Sequence, residues 1–92
     1  MPGAHRDTDT RACGAITHAT DLGVYVNGKL WAVEGDKESH GNGDLIATHE
    51  GVYIGGKKVM IFGDKASGDN ADHTPDQTKP TGHSDNVTCY GN

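Results

Sequence analysis

The chain has 92 residues, about a third of them apolar and 14 of them glycine, and a formal charge of −5. That length allows one domain, spanning 1–92, with a thin core that needs a metal or a partner to reinforce it. The net acidity, with no basic stripe among the eight Lys and Arg residues, argues against a nucleic-acid partner.

The longest apolar runs are four or five residues, and Met1 leads into a polar segment. Neither a transmembrane helix nor a cleavable signal peptide is expected. Without a secretory leader, Cys13 and Cys89 are expected to be reduced thiols, and so candidate metal ligands.

The order of the elements follows a repeat. At the N-terminus, His5-Arg6-Asp7-Thr8-Asp9 stands where a return strand ends, and Cys13 follows Asp9 by four residues. The first full unit, GVYVNGKLWAVEGD from Gly23 to Asp36, has a β-rich triplet, an Asn-Gly pair and a second apolar run. That pattern predicts a hairpin turning at Asn27-Gly28, with both turn residues at positive φ. Alternation places Val24 and Val26 on one face and Tyr25 on the other. His40 follows Asp36 by four residues, as Cys13 follows Asp9.

The second unit, GVYIGGKKVMIFGD from Gly51 to Asp64, repeats the first at a constant offset of 28 residues and turns at Gly55-Gly56. Four residues beyond Asp64 stands Gly68, not a ligand. A second Gly-Asp, Gly68-Asp69, is followed at the same interval by His73, so the third loop is longer and carries its candidate further along. The segments from His40 to Asp44 and from Lys65 to Pro80 are too rich in Gly, Asp and Pro to suggest a helix. A weaker third echo, Thr81 to Asn92, sets Val87 over Val24 and Cys89 over Val26, and stops where its hairpin would turn. The first and last half-units are therefore expected to complete each other.

Three hairpin units around a pseudo-threefold axis would bring Cys13, His40 and His73 together from three loops. Thiolate and imidazole donors suit a tetrahedral Zn²⁺, with Fe²⁺ the lesser alternative. His83 or Cys89 could supply a fourth ligand, His83 being preferred because Cys89 falls at a strand position that is apolar in the other units. His5, His18 and His49 have no repeat-equivalent partner and read as surface or loop residues. Asp64, Asp69, Asp72 and Asp76 read as solvated loop charge, since the EF-hand spacing is absent. Trp31 and Phe62 read as packing residues. No nucleophile elbow, phosphate-binding loop, HExxH or paired-carboxylate signature points to catalysis.

These phrases resemble the PAAR-repeat family. Its first phrase, close to RxGDxTxHGG, is matched by Arg6, Asp9, Thr10, Cys13 and Gly14. Its second, close to GSxNVxVNGxPAARxGD, is matched by Gly23-Val24, Val26-Asn27-Gly28-Lys29 and Gly35-Asp36, by Gly51-Val52, Ile54, Gly56-Lys57 and Gly63-Asp64, and by Gly82, Ser84, Asn86 and Val87. The Pro-Ala-Ala-Arg tetrapeptide is replaced by Leu30-Trp31-Ala32-Val33 and Lys58-Val59-Met60-Ile61. The resemblance implies an all-β fold, a small conical pseudo-threefold assembly of short hairpins with a metal site near its apex. The family commonly holds Zn²⁺ with three His and one Cys, which maps onto Cys13, His40, His73 and His83.

It also implies a non-enzymatic role: sharpening the membrane-piercing spike of a contractile injection system, either type VI secretion or a phage tail. One chain would cap one trimeric β-helix, a VgrG-type or phage spike protein, with Trp31 and Ile61 sealing the base. The tip would be cytoplasmic until assembled and then leave the cell on the spike. With no effector extension expected, any cargo would bind non-covalently. The rival readings are a small metal-dependent hydrolase, which needs an open coordination position, and a metal-binding adaptor presenting residues 65–80 to a cargo protein.

Overall fold

The structure is a computed structural model describing residues 3–49, 51–69, 71, 73–84 and 87–88. It is mostly short antiparallel pairs. β1 (Thr17–His18) pairs with β4 (Lys37–Glu38), and β2 (Tyr25–Val26) with β3 (Lys29–Leu30). β5 (Leu45–Ile46) pairs with β8 (Lys65–Ala66), and β6 (Tyr53–Ile54) with β7 (Lys57–Lys58).

Both expected hairpins form where the turn chemistry requires. Asn27 and Gly28 have φ of 53° and 82°, and Gly55 and Gly56 have 58° and 82°. These are left-handed values suited to a two-residue turn between twisted strands. Val26 is buried while its neighbour Tyr25 is exposed, as alternation requires. Val24 is exposed too, so the two valines do not share a buried face.

The second apolar runs differ from expectation. They are not long return strands: the strands end at Leu30 and Lys58, Trp31 and Val59 add one more hydrogen bond each to their own hairpins, and from there the chain pairs with other copies. Arg6 bridges Trp31, Val33 bridges Val59, and Ile61 bridges Ala4. At the middle of these segments the backbone closes a ring of three hydrogen bonds. Ala32 N–H donates to His5 O, Met60 N–H to Ala32 O, and His5 N–H to Met60 O, each at 3.0 Å. His5, Ala32 and Met60 are fully buried. A surrounding set repeats the order, with Asp7 N–H donating to Leu30 O, Glu34 N–H to Lys58 O and Phe62 N–H to Gly3 O. The backbone groups of these short segments thereby find partners that a two-stranded hairpin alone could not supply.

The N-terminal segment occupies the place of the third copy. Ala4 N–H donates to Val87 O as Trp31 N–H does to Val24 O and Val59 N–H to Val52 O. The first and last half-units thus complete each other, as the permuted repeat predicted; Cys89 lies outside the described residues.

The repeated aspartates have a shared task. Oδ2 of Asp9, Asp36 and Asp64 accepts the N–H of Arg6, Val33 and Ile61, each at 2.9 Å. Oδ1 of Asp36 and Asp64 accepts the hydroxyls of Thr20 and Thr48. Asp64 is therefore buried and not solvated loop charge, and its carboxylate closes the turn after each ring segment. Ile61 is buried as well, so it cannot lie on an exposed base. The apolar cluster that extends from the ring residues Ala32 and Met60 to Leu45 and Ala66 is small.

Two further expectations are corrected. The segment from Lys65 to Pro80 contains one helical turn, α1 (Pro75–Thr78), which begins with Pro at its first position and an N-cap Thr74 whose N–H donates to Gln77 Oε1. Four residues are too few for a periodic signal. His5 is not a surface residue: its neutral ring fits between Gly82 O, which accepts from Nδ1 at 2.7 Å, and the Thr17 hydroxyl, 2.6 Å from Nε2. Among the described residues no helix is long and apolar enough to cross a membrane.

Candidate metal centre

The turns that follow Asp9 and Asp36 are built alike. Arg11 N–H donates to Ala15 O and Gly14 N–H to Arg11 O; Glu38 N–H donates to Asn42 O and Gly41 N–H to Glu38 O. Gly14 and Gly41 hold φ of 91° and 87°, which lets both turns reverse tightly. Cys13 and His40 therefore occupy the same position on equivalent turns.

The third loop reaches the same place by a longer route. Asp69 Oδ1 accepts the N–H groups of Ala71 and His73 at 2.9 and 3.1 Å, folding the chain back so that His73 Nδ1 comes within 2.8 Å of Asp69 Oδ2. Thr78 in α1 then donates its hydroxyl to Ser67 O, tying down the loop's far end. The rings of His40 and His73 lie 5.1 Å apart.

Cys13, His40 and His73 thus converge, and two carboxylates join them: donor atoms of Cys13, Glu38, His40, Asp69 and His73 all lie within 4.8 Å of one another. His40 Nδ1 is 3.2 Å from Asp69 Oδ2 and 3.5 Å from Glu38 Oε1. His83 is not brought to this group. The bridge between Arg11 and Pro80, with Thr81 and Gly82 N–H both donating to Thr10 O, carries the chain away. His83 instead packs against Phe62, ring centroids 4.9 Å apart, with Nδ1 at 2.9 Å from Ser84 O.

Beneath the cluster lies a buried guanidinium. Arg11 donates from Nη1 to Gly43 O, Thr78 O and Glu38 Oε2, and from Nε to the Thr17 hydroxyl. Burial lowers its pKa, opposed mainly by the Glu38 carboxylate. Since Thr17 also meets His5, a continuous polar chain joins the ring of hydrogen bonds to the cluster.

The donor atoms of the cluster could hold a cation. Glu38 Oε1 is buried with no hydrogen bond. Burial pushes the Glu38 carboxyl up to about 7, and the facing Asp69 carboxyl adds to the shift. At Asp69 burial also opposes ionisation, yet hydrogen bonds from Glu38, His73 and the loop backbone hold its pKa below the usual carboxylate range. Two buried acids beside two imidazoles and a thiol are poorly matched to one another by Arg11 alone. Cysteine sulfur, imidazole nitrogen and carboxylate oxygen are donors that divalent borderline metals accept.

Asp69, expected from the sequence to be solvated loop charge, is buried in the cluster, and Glu38 and Arg11 were not singled out from the sequence. The signal for two of them was present, since Arg11 and Glu38 stand two residues before Cys13 and His40 at equivalent repeat positions. Opposite charges in the same slot of two copies meet where the copies converge. Compared with known proteins, the chain matches no family model and no curated protein.

Proposed function

We propose that this protein is a spike tip of the PAAR-repeat type, a small cone that caps a trimeric β-helix in a contractile injection system and carries a structural Zn²⁺ near its apex. The observation that carries this reading is the ring joining His5, Ala32 and Met60. One chain that repeats its backbone three times around one ring can offer equivalent edges to three identical subunits, which an unrepeated monomer cannot. Tyr25 and Tyr53, equivalent in the repeat, are 59% and 52% exposed and are suited to anchor a partner through their aromatic faces.

In this reading the metal has a mechanical task. It ties Cys13, His40 and His73, from three separate loops, into one rigid point in a domain whose apolar core is thin. The role is non-enzymatic, and the protein travels from the cytoplasm out of the cell on the assembled spike.

The test is to mix the purified protein with a trimeric spike β-helix and follow complex formation by size-exclusion chromatography. A stable complex is expected, weakened about tenfold or more when Tyr25 and Tyr53 are both changed to Ala. No complex with any such trimer, whether metal is supplied or removed, would reject the reading.

A further inference from the structure

Resting on the metal-centre reading, we propose that Glu38 supplies the carboxylate ligand through Oε1, completing the set Cys13, His40 and His73, and that the buried Arg11 is the positioning residue that aims it.

Glu38 is distinguished from its neighbours by what each oxygen already does. Its Oε2 lies 3.4 Å from Arg11 Nη1, both side chains being fully buried. Its Oε1 is buried, has no hydrogen bond and lies on the side of His40 Nδ1. Among the described residues it is the cluster's one buried carboxylate oxygen without a hydrogen bond, and the Asp69 carboxyl faces the same group. Asp69 has no such vacancy, because Oδ1 accepts two backbone N–H groups and Oδ2 accepts the imidazole Nδ1 of His73. Asp69 shapes the loop and turns the histidines, as outer partners of ligating imidazoles do.

Arg11 is built to hold Glu38 still. Nε and Nη1 are fixed by Thr17, Gly43 and Thr78, so the guanidinium cannot swing away. With Oε2 held, the carboxylate binds through one oxygen, as a crowded tetrahedral site requires. The positive charge beneath it also balances one of the anionic ligands, so that thiolate and carboxylate coexist around a single divalent ion.

The assignment is tested on the purified chain with Zn²⁺ and Co²⁺ alone as probes. Zn²⁺ affinity is measured by chelator competition, and the site's geometry by the visible absorption of the Co²⁺ form. Glu38→Gln, which preserves shape, is expected to weaken Zn²⁺ about 100-fold or more and to change the Co²⁺ spectrum, while Asp69→Asn weakens binding by only about 10–100-fold and leaves the spectral type intact. Arg11→Met is expected to resemble Asp69→Asn. To avoid dependence on folding of the variants, wild-type protein with ¹³C-labelled Glu carboxyls is followed by infrared difference spectroscopy on Zn²⁺ addition, with a shifted Glu carboxylate band expected. Unchanged affinity in Glu38→Gln, or no shifted Glu band while the wild type takes up Zn²⁺, would overturn the assignment and leave the metal centre standing. Failure of the wild type to take up any metal would remove both.

Discussion

Arg11 Nη1 and Glu38 Oε2 lie 3.4 Å apart, both fully buried, at the same position in two copies of the repeat. A repeated sequence would place like residues there; this chain places opposite charges, with Ala66 as the third member. The pair is a local break in the repeat that joins Glu38, in the cluster, to the buried guanidinium beneath it.

Breaking that pair from one side is expected to be costly. Arg11→Met leaves two acids buried without their cation and should destabilise the fold by about 3–5 kcal/mol, whereas Arg11→Met combined with Glu38→Leu should recover much of the loss. Urea unfolding of the metal-free protein measures both, so that loss of a metal ligand does not enter the comparison. Equal losses in the single and double variants would contradict the pairing.

The cluster predicts an ordered response to metal removal. Chelation should lower the melting temperature by roughly 15 °C or more, given the stabilisation that a tightly held ligand confers on a domain of this size. Cys13→Ser, His40→Ala and His73→Ala should each abolish that response, while His83→Ala, which removes a ring packed on Phe62, should retain it.

His5 predicts acid sensitivity of a definite sign. Burial, the largest cause, and the cationic Arg11 and Arg6 depress its pKa from 6.5 to about 4, against the opposing Gly82 carbonyl and Asp9. The folded state holds the ring neutral while the unfolded chain protonates near 6.5. The contribution is therefore complete above pH 6.5 and is lost as pH falls toward 4, amounting to about 3 kcal/mol. An NMR titration of the His5 ring in metal-free protein should show a midpoint near 4; a midpoint at or above 6 would contradict the buried, neutral assignment.

The shared task of the aspartates predicts matched losses. Asp36→Ala and Asp64→Ala each strand a buried backbone N–H, that of Val33 or Ile61, and should each cost about 1–3 kcal/mol in chemical denaturation. A large loss in one and none in the other would contradict their equivalence.

Much of this was legible from spacing. The turns at Asn27-Gly28 and Gly55-Gly56 follow from dipeptides that tolerate positive φ, and the shift of the third candidate from Gly68 to His73 follows from a second Gly-Asp. What spacing could not carry was direction and depth. His5 and Asp64 look polar and loop-like in sequence, and only the closure of the ring explains why both are buried. His83 is the sequence's preferred fourth ligand, but the pairing of Thr10 with Thr81 and Gly82 sends it toward Phe62. Glu38 lies in the cluster instead, and its place two residues before His40, matching that of Arg11 before Cys13, carries no metal-ligand spacing that would mark it in sequence.

The most direct test of the central claim is native mass spectrometry of the protein mixed with a trimeric spike β-helix. The account predicts one chain per trimer carrying one metal ion, with the complex surviving dilution. Three chains per trimer, or no complex at all in the presence of Zn²⁺, would contradict it.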